Sequence, residues 1–346
     1  METDITHFIQ NIPKVELHLH LEGTLEPSML LSLAKRNGIT LPYETASSVA
    51  NAYNFSNLQS FLDLYYMGCT VLRQRQDFYD LAMAYLTRAH DENVRHVELF
   101  FDPQAHTGRG VPFDDVVNGI HSALADGQIK YGISSKLIMC ILRDQSEQDG
   151  MKTLDAALRH TDKIAGVGLD SAEIGNPPSK FQRLFQRARK EGFFAVAHAG
   201  EEGPPNPYVW DALDKLGVIR IDHGVRCEED DDLVERLIKD RIPLNVCPIS
   251  NVKLKVFDTI KDHNLKHMLD RGLTVTVNSD DPAYFGAYIT KNFIEASKNL
   301  SLNKADIIQL TKNAIEASTL GAEGKAKLSD ELDSYVNASY VGPTCS

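Results

Sequence analysis

The chain has 346 residues, 42% hydrophobic and 24% charged, a composition that excludes disordered and fibrous classes and allows a large core. A formal net charge of -12 argues against nucleic-acid backbones and anionic membranes as partners and favours a small or neutral ligand. Cys69, Cys140, Cys227, Cys247 and Cys345 are scattered without CxxC spacing, which argues against a disulfide framework or a cysteine zinc site and points to a reducing compartment, the cytosol or the nucleus.

The first segment, METDITHFIQNIPK, lacks the apolar core of a secretory signal, and no uncharged apolar run reaches membrane-spanning length. VELHLH (15–20) then reads as a strand. Its two-residue period places His18 and His20 on one side, together with Glu16 and Glu22. Solvent, a hydrogen-bond network or a metal ion would each satisfy four such groups. Residues 27–76 carry helical periodicity and are too long for one helix, so they form either an apolar cover over a pocket or a helical hairpin packed on the side of the sheet.

Further short β-rich runs follow at 96–101 (HVELFF), 135–142 (SKLIMCIL), 164–169 (IAGVGL), 193–198 (FFAVAH), 218–221 (VIRI), 243–246 (PLNV) and 273–277 (LTVTV). Helical stretches at 77–90, 112–125, 180–191, 230–239 and 263–271 separate them, and the chain from Tyr288 onward reads as helix. Alternating strands and helices, with eight strands in all, predict an α/β protein: a (β/α)₈ TIM barrel with a helical insertion after strand 1 and extra C-terminal helices. A doubly wound open sheet is the second choice. No linker or repeat divides the chain, so residues 1–346 read as a single domain.

Several runs end in polar clusters: HLHLEG, FFDPQ, LRD, GLDSAE, AHAGEEG, IDHG, NVCPISN and NSDDP. In a barrel such ends converge on one face. There His18, His20, His198 and Asp280 make a candidate metal set of three imidazoles and a carboxylate, with room for water. Glu201, three residues after His198, faces the same pocket as an acid or stays a solvated loop carboxylate. His223 holds or deprotonates the water, or else is a further ligand of a binuclear site. Asp281 is a substrate or supporting acceptor. No lysine stands at the end of strand 4, where Asp170 and Ser171 lie, and this favours one metal. His7, His90, His96, His106, His121, His160, His263 and His267 read as surface or packing histidines.

PKVELHLHLEGTLEP, HAGEEGP, RIDHGVR, CPISNVKL and NSDDPAYFG resemble the adenosine/adenine deaminase family of metal-dependent hydrolases, from about residue 13 to beyond residue 285. FFDPQAHTGRGVPF, GLDSAEIGNPP and the Asp222–His223 pair look most like the fungal and bacterial adenine deaminases. HLE and HVE occur, but without the PCxxC of the cytidine-type enzymes. The resemblance implies one zinc ion per chain on His18, His20, His198 and Asp280, Glu201 as proton donor to purine N1, His223 orienting the attacking hydroxide, and Asp281 contacting the base near N7. It implies hydrolysis of adenine to hypoxanthine and ammonia in purine salvage; the alternatives are adenosine, an N6-substituted purine nucleoside or nucleotide, and a metal-stabilised binding protein without activity. Nucleoside deaminases carry Asp where this chain has Glu22, so the extra methylene is expected to exclude ribose. Gly175, Ser171 and Glu173 are expected to complete the purine pocket. The purine is the only partner expected, and the sequence sets no oligomeric state.

Overall fold

In a computed structural model of the chain, residues 2–340 are described; Cys345 lies outside them. Strands β1 (Lys14–Glu16), β2 (Val94–Phe101), β3 (Ser134–Leu142), β4 (Ile164–Asp170) and β5 (Phe194–Ala195) form one parallel sheet in that order. Strands β6 (Ala197–Ala199), β7 (Ile221–His223), β8 (Leu244–Val246) and β9 (Val275–Val277) form a second. The two sheets are one barrel. β5 and β6 are halves of a single stave interrupted at Val196, whose N–H bonds Val167 of β4 at 3.0 Å. At the other seam His20 N donates to Asp280 O at 3.0 Å and Asp280 N to His18 O at 3.1 Å, so the chain beyond β1 pairs with the chain beyond β9.

The eight expected staves are therefore present, with shifted ends. Asp222 and His223, expected just past the sixth strand, lie within β7, because the preceding residues 218–220 are not strand. β1 stops at Glu16. The two-residue alternation does not run through residues 17 and 18, and Glu16 does not join the histidines: it accepts from Tyr85 Oη at 2.6 Å and from Ser279 N at 3.2 Å.

Helices α1 (Glu2–Asn11), α2 (Pro27–Asn37), α3 (Ala46–Ala52), α4 (Leu58–Cys69) and α5 (Arg75–Asp91) open the chain, the middle three making up the insertion. Pro27 starts α2 and Gly38, with φ of 64°, ends it, while Asn57 caps α4 by accepting from Ser60 N. Phe61 and Tyr65 of α4 pack on Tyr284. The insertion thus covers the end of the barrel where the strands finish. Three helices, Ile289–Leu300, Lys304–Ala317 and Ala322–Tyr340, end the described residues. Among the described residues no helix is long and apolar enough to cross a membrane.

Low in the barrel lies a buried polar layer. Arg220 ion-pairs with Glu98, both side chains being fully buried, and also donates to Leu17 O. Glu98 further accepts from Thr319 Oγ1 at 2.7 Å, which ties the barrel to the segment after Lys304–Ala317.

Candidate active site

His18, His20, His198 and Asp280 come together although His18 and Asp280 are 262 positions apart. His18 Nε2 lies 3.0 Å from Asp280 Oδ1, His20 Nε2 3.5 Å from the same oxygen, and His20 Nε2 3.1 Å from His198 Nε2. Each residue is buried. Backbone pairing across the barrel seam sets the two histidines beside Asp280, and the stave β5–β6 brings His198 opposite. Asp280 and His223 occupy left-handed backbone at φ of 64° and 66°, a conformation unusual for residues other than glycine that aims their side chains into the cavity.

Neighbouring groups fix the ring orientations. His198 Nδ1 donates to Leu169 O at 3.1 Å, so its Nε2 is a bare acceptor, and Arg143 Nη1 donates to His198 O at 2.7 Å. Asp222 lies 3.5 Å from His18 Nδ1 and is itself held by Asn245 Nδ2 at 2.8 Å. Ser250 Oγ donates to Asp280 Oδ2 at 2.6 Å. Burial holds His20 down to about 4 and His198 well below its usual range, so both rings are neutral. The four ligand atoms all lie within 4.8 Å of one another. Zinc bonds of about 2.0 Å to nitrogen or oxygen in a tetrahedron separate ligand atoms by roughly 3.3 Å, so this donor set fits the ion. Orienting partners on the outer ring nitrogens complete the pattern of a metal site.

His20, His198 and Asp280 open on a cavity lined also by Glu201, His223, Asp281, Ser171, Asp102 and Asp170 and roofed by Leu58, Phe61, Leu62, Tyr65 and Tyr66. Of the two roles open to residues 27–76, α4 fills that of apolar cover. Glu201 Oε1 has no protein partner, and its Oε2 lies 3.6 Å from His223 Nε2. Burial, reinforced by the charge of Asp280, pushes the Glu201 carboxyl well above the usual range. Asp281 Oδ1 is likewise unpartnered. Gly23 makes room for it: a Cβ there would stand 2.0 Å from Asp281 Oδ1.

His223 is held by a chain of hydrogen bonds whose polarity is fixed at one end. Leu265 N donates to His263 Nδ1 at 3.0 Å, which leaves the His263 proton on Nε2, 3.2 Å from Asn251 Oδ1. The Asn251 amide nitrogen then faces His223 Nδ1 at 3.2 Å and donates to it. His223 therefore carries its proton on Nε2, toward Glu201 and Asp280.

Three expected substrate contacts lie off the cavity wall. Glu173 uses both oxygens on backbone N–H groups of Gly200, Glu201, Glu202 and Gly203, and so shapes the AHAGEEG loop. Gly175, at φ of 83°, gives its N–H to Tyr208 Oη. Glu22 Oε1 is taken by Asp102 N at 3.1 Å and His106 Nε2 at 2.8 Å. Ser171 does line the wall and accepts from Tyr66 Oη at 3.0 Å. His106 and His263, read from sequence as surface or packing residues, are buried and support Glu22 and Asn251. Their elements are a short helix and a loop, which carry no strand-end signal. Asp102 and Asp222 stood in the polar clusters FFDPQ and IDHG, which is the signal that could have found them.

The family model described as adenosine deaminase matches residues 13–335. The adenine deaminase of Chlorobium phaeobacteroides (strain BS1) is 56% identical over 321 residues, covering 93% of this chain and 96% of that protein. The crystal structure of adenine deaminase from Arthrobacter aurescens superposes with a TM-score of 0.93 at 51% identity, over 94% of this chain and 99% of that one. A Burkholderia ambifaria amidohydrolase with bound zinc gives 0.88 at 26% identity, over 98% and 95%.

Proposed function

The chain belongs to the adenosine deaminase family, and from that premise we propose that it hydrolyses free adenine to hypoxanthine and ammonia, a step of purine salvage, with residues 1–346 acting as one catalytic domain. The observation that carries the reading is the convergence of four metal-binding side chains with Glu201 and His223 at the inner end of one cavity. Identity above 50% to proteins named adenine deaminase supports the substrate.

His18, His20, His198 and Asp280 would hold one zinc ion per chain. Bound there, zinc supplies Lewis-acid chemistry that lowers the pKa of a water toward about 7. Glu201 then protonates purine N1, which draws electrons from C6 and opens that carbon to the water oxygen. His223, with its proton on Nε2, donates to that oxygen and orients it. The tetrahedral C6 carries both hydroxyl and amino groups; the proton shed by the water passes to the amino group, the C–N bond breaks and ammonia leaves, and as the C6 carbonyl forms the hydroxyl proton returns to Glu201. Asp281 contacts the base near N7, and Ser171 borders the pocket. Glu173 and Gly175 act through loop shape, and Glu22 spends its Oε1 on Asp102 N and His106 Nε2 and not on the purine.

Incubating the zinc-loaded protein with adenine and, separately, adenosine tests this. Loss of the 6-amino chromophore and release of ammonia from adenine, abolished in Glu201→Gln with the metal retained, are expected. A preference for adenosine or an N6-substituted nucleotide would move the substrate assignment, and no turnover of any purine would leave a binding protein.

A further inference from the structure

Two buried carboxylates on the cavity wall touch none of the reacting atoms named above. Asp102 follows β2 and Asp170 ends β4; each is 2% exposed and lines the cavity beside His20 and His198. Asp102 Oδ2 accepts from Tyr65 Oη at 3.0 Å, and Asp170 Oδ2 lies 3.6 Å from His20 Nδ1. The two carboxyls lie within hydrogen-bonding reach of each other, and Asp102 Oδ1 and Asp170 Oδ1 accept from no other group of the protein that keeps a fixed N–H or O–H on them. Buried acceptors are costly to leave unpaired, so two at one place in a ligand cavity call for a donor brought by the ligand.

A cation, an N–H or an O–H would meet that need, and a free base, the substrate read above, brings only N–H groups. His20, Asp102 and Asp170 lie close enough to share a cation. His20, however, directs Nε2 to the first cluster, and Asp170 stands at its Nδ1, where a carboxylate orients a metal-bound imidazole. An N–H donor needs no second use of His20.

We propose that Asp102 and Asp170 form the subsite for the imidazole N–H of a free purine base, and that purines substituted at N9 are rejected because they leave these acceptors unpaired. The inference rests on the deaminase reading and names how its substrate class is chosen. Free adenine carries a hydrogen on its five-membered ring; a nucleoside has a glycosidic carbon there and no donor. A methylene change such as Glu22 for Asp discriminates about 10- to 200-fold, whereas a site built around a substrate N–H rejects the analogue lacking it by about 10⁴- to 10⁵-fold. Glu22 keeps a part in this. Its Oε1 accepts from Asp102 N and from His106, so Glu22 and His106 position Asp102.

The test uses the full chain. Calorimetry compares hypoxanthine with 9-methylhypoxanthine, steady-state kinetics compares adenine with 9-methyladenine, and bound zinc is counted, in the wild type and in Asp102→Asn and Asp170→Asn. The wild type is expected to prefer the unsubstituted base by at least about 10²-fold in Kd and about 10⁴-fold in kcat/KM. Each variant is expected to keep one zinc and lose at least about tenfold of that preference. A wild-type preference under about tenfold, a preference unchanged in both variants, or a second zinc equivalent that both variants lose would overturn the subsite. The wild-type ligand comparison decides even if a variant fails to fold. Adenine turnover without the preference sinks the subsite alone; a preference that depends on the pair, without turnover, sinks the deaminase reading alone.

Discussion

His20 Nε2 and His198 Nε2 face each other at 3.1 Å inside the barrel, and the His198 ring is turned so that its facing nitrogen is a bare acceptor. Two imidazole nitrogens that close are joined by a hydrogen bond from a neutral ring or by a cation, and burial disfavours the charged form of either ring. Chelation is therefore expected to lower the melting temperature by several degrees as well as to abolish activity, since a ligand bound at 100 times its Kd contributes about 2.7 kcal/mol. Differential scanning calorimetry before and after chelator, then with zinc restored, checks this. An unchanged transition after verified metal removal would refute it.

The hydrogen-bond chain from Leu265 through His263 and Asn251 to His223 gives a second expectation. Asn251→Asp keeps the shape but replaces a donor with an acceptor, so His223 should move its proton to Nδ1. Turnover should fall about 10- to 100-fold, in line with outer partners that orient functional histidines, while metal content holds. The ring ¹⁵N shifts of His223 report the tautomer directly. His263→Gln, which keeps a donor to Asn251, should retain more activity than His263→Leu.

Glu98 and Arg220 make a pH-dependent contribution to stability. Although burial opposes ionisation, the guanidinium of Arg220 and the neighbouring His96 hold the Glu98 carboxyl below its ordinary range. Its stabilisation is complete above the unfolded carboxylate pKa of about 4.3 and disappears as pH falls through the lower folded value. Glu98→Gln leaves Arg220 buried without its partner and should cost about 3 to 5 kcal/mol at neutral pH. Denaturant unfolding from pH 7 downward should show the gap between wild type and variant narrowing below about pH 4. A gap that widens on acidification would contradict the assignment.

Gly23 is expected to tolerate no side chain. In Gly23→Ala the new Cβ would stand 2.0 Å from Asp281 Oδ1, so Asp281 must move. Overpacking of this kind costs about 1 to 3 kcal/mol. Steady-state kinetics should show kcat/KM for adenine falling further than the melting temperature alone would explain.

The convergence of His18, His20, His198 and Asp280 was legible in the sequence because they stand at the ends of apolar runs, and a barrel brings such ends together. Glu201 and His223 were legible for the same reason, as loop or strand-end residues after His198 and Arg220. Glu16 was misplaced because a period of two was extended past the point where β1 stops pairing. The hydrogen bonds of Gly175 and Glu173 were not legible, because the sequence does not show how a loop spends them: Glu173 closes four backbone donors, and Gly175 serves Tyr208. Asn251, His263 and His106 escaped notice since their roles are long-range contacts between loops and short helices, which no local pattern encodes.

The most direct measurement is the fate of oxygen. Zinc-loaded protein incubated with adenine in ¹⁸O-labelled water should yield hypoxanthine with one ¹⁸O at C6 and one equivalent of ammonia, detected by mass spectrometry and an ammonia assay. Recovery of unchanged adenine, or ammonia release without label at C6, would contradict hydrolytic deamination at this site.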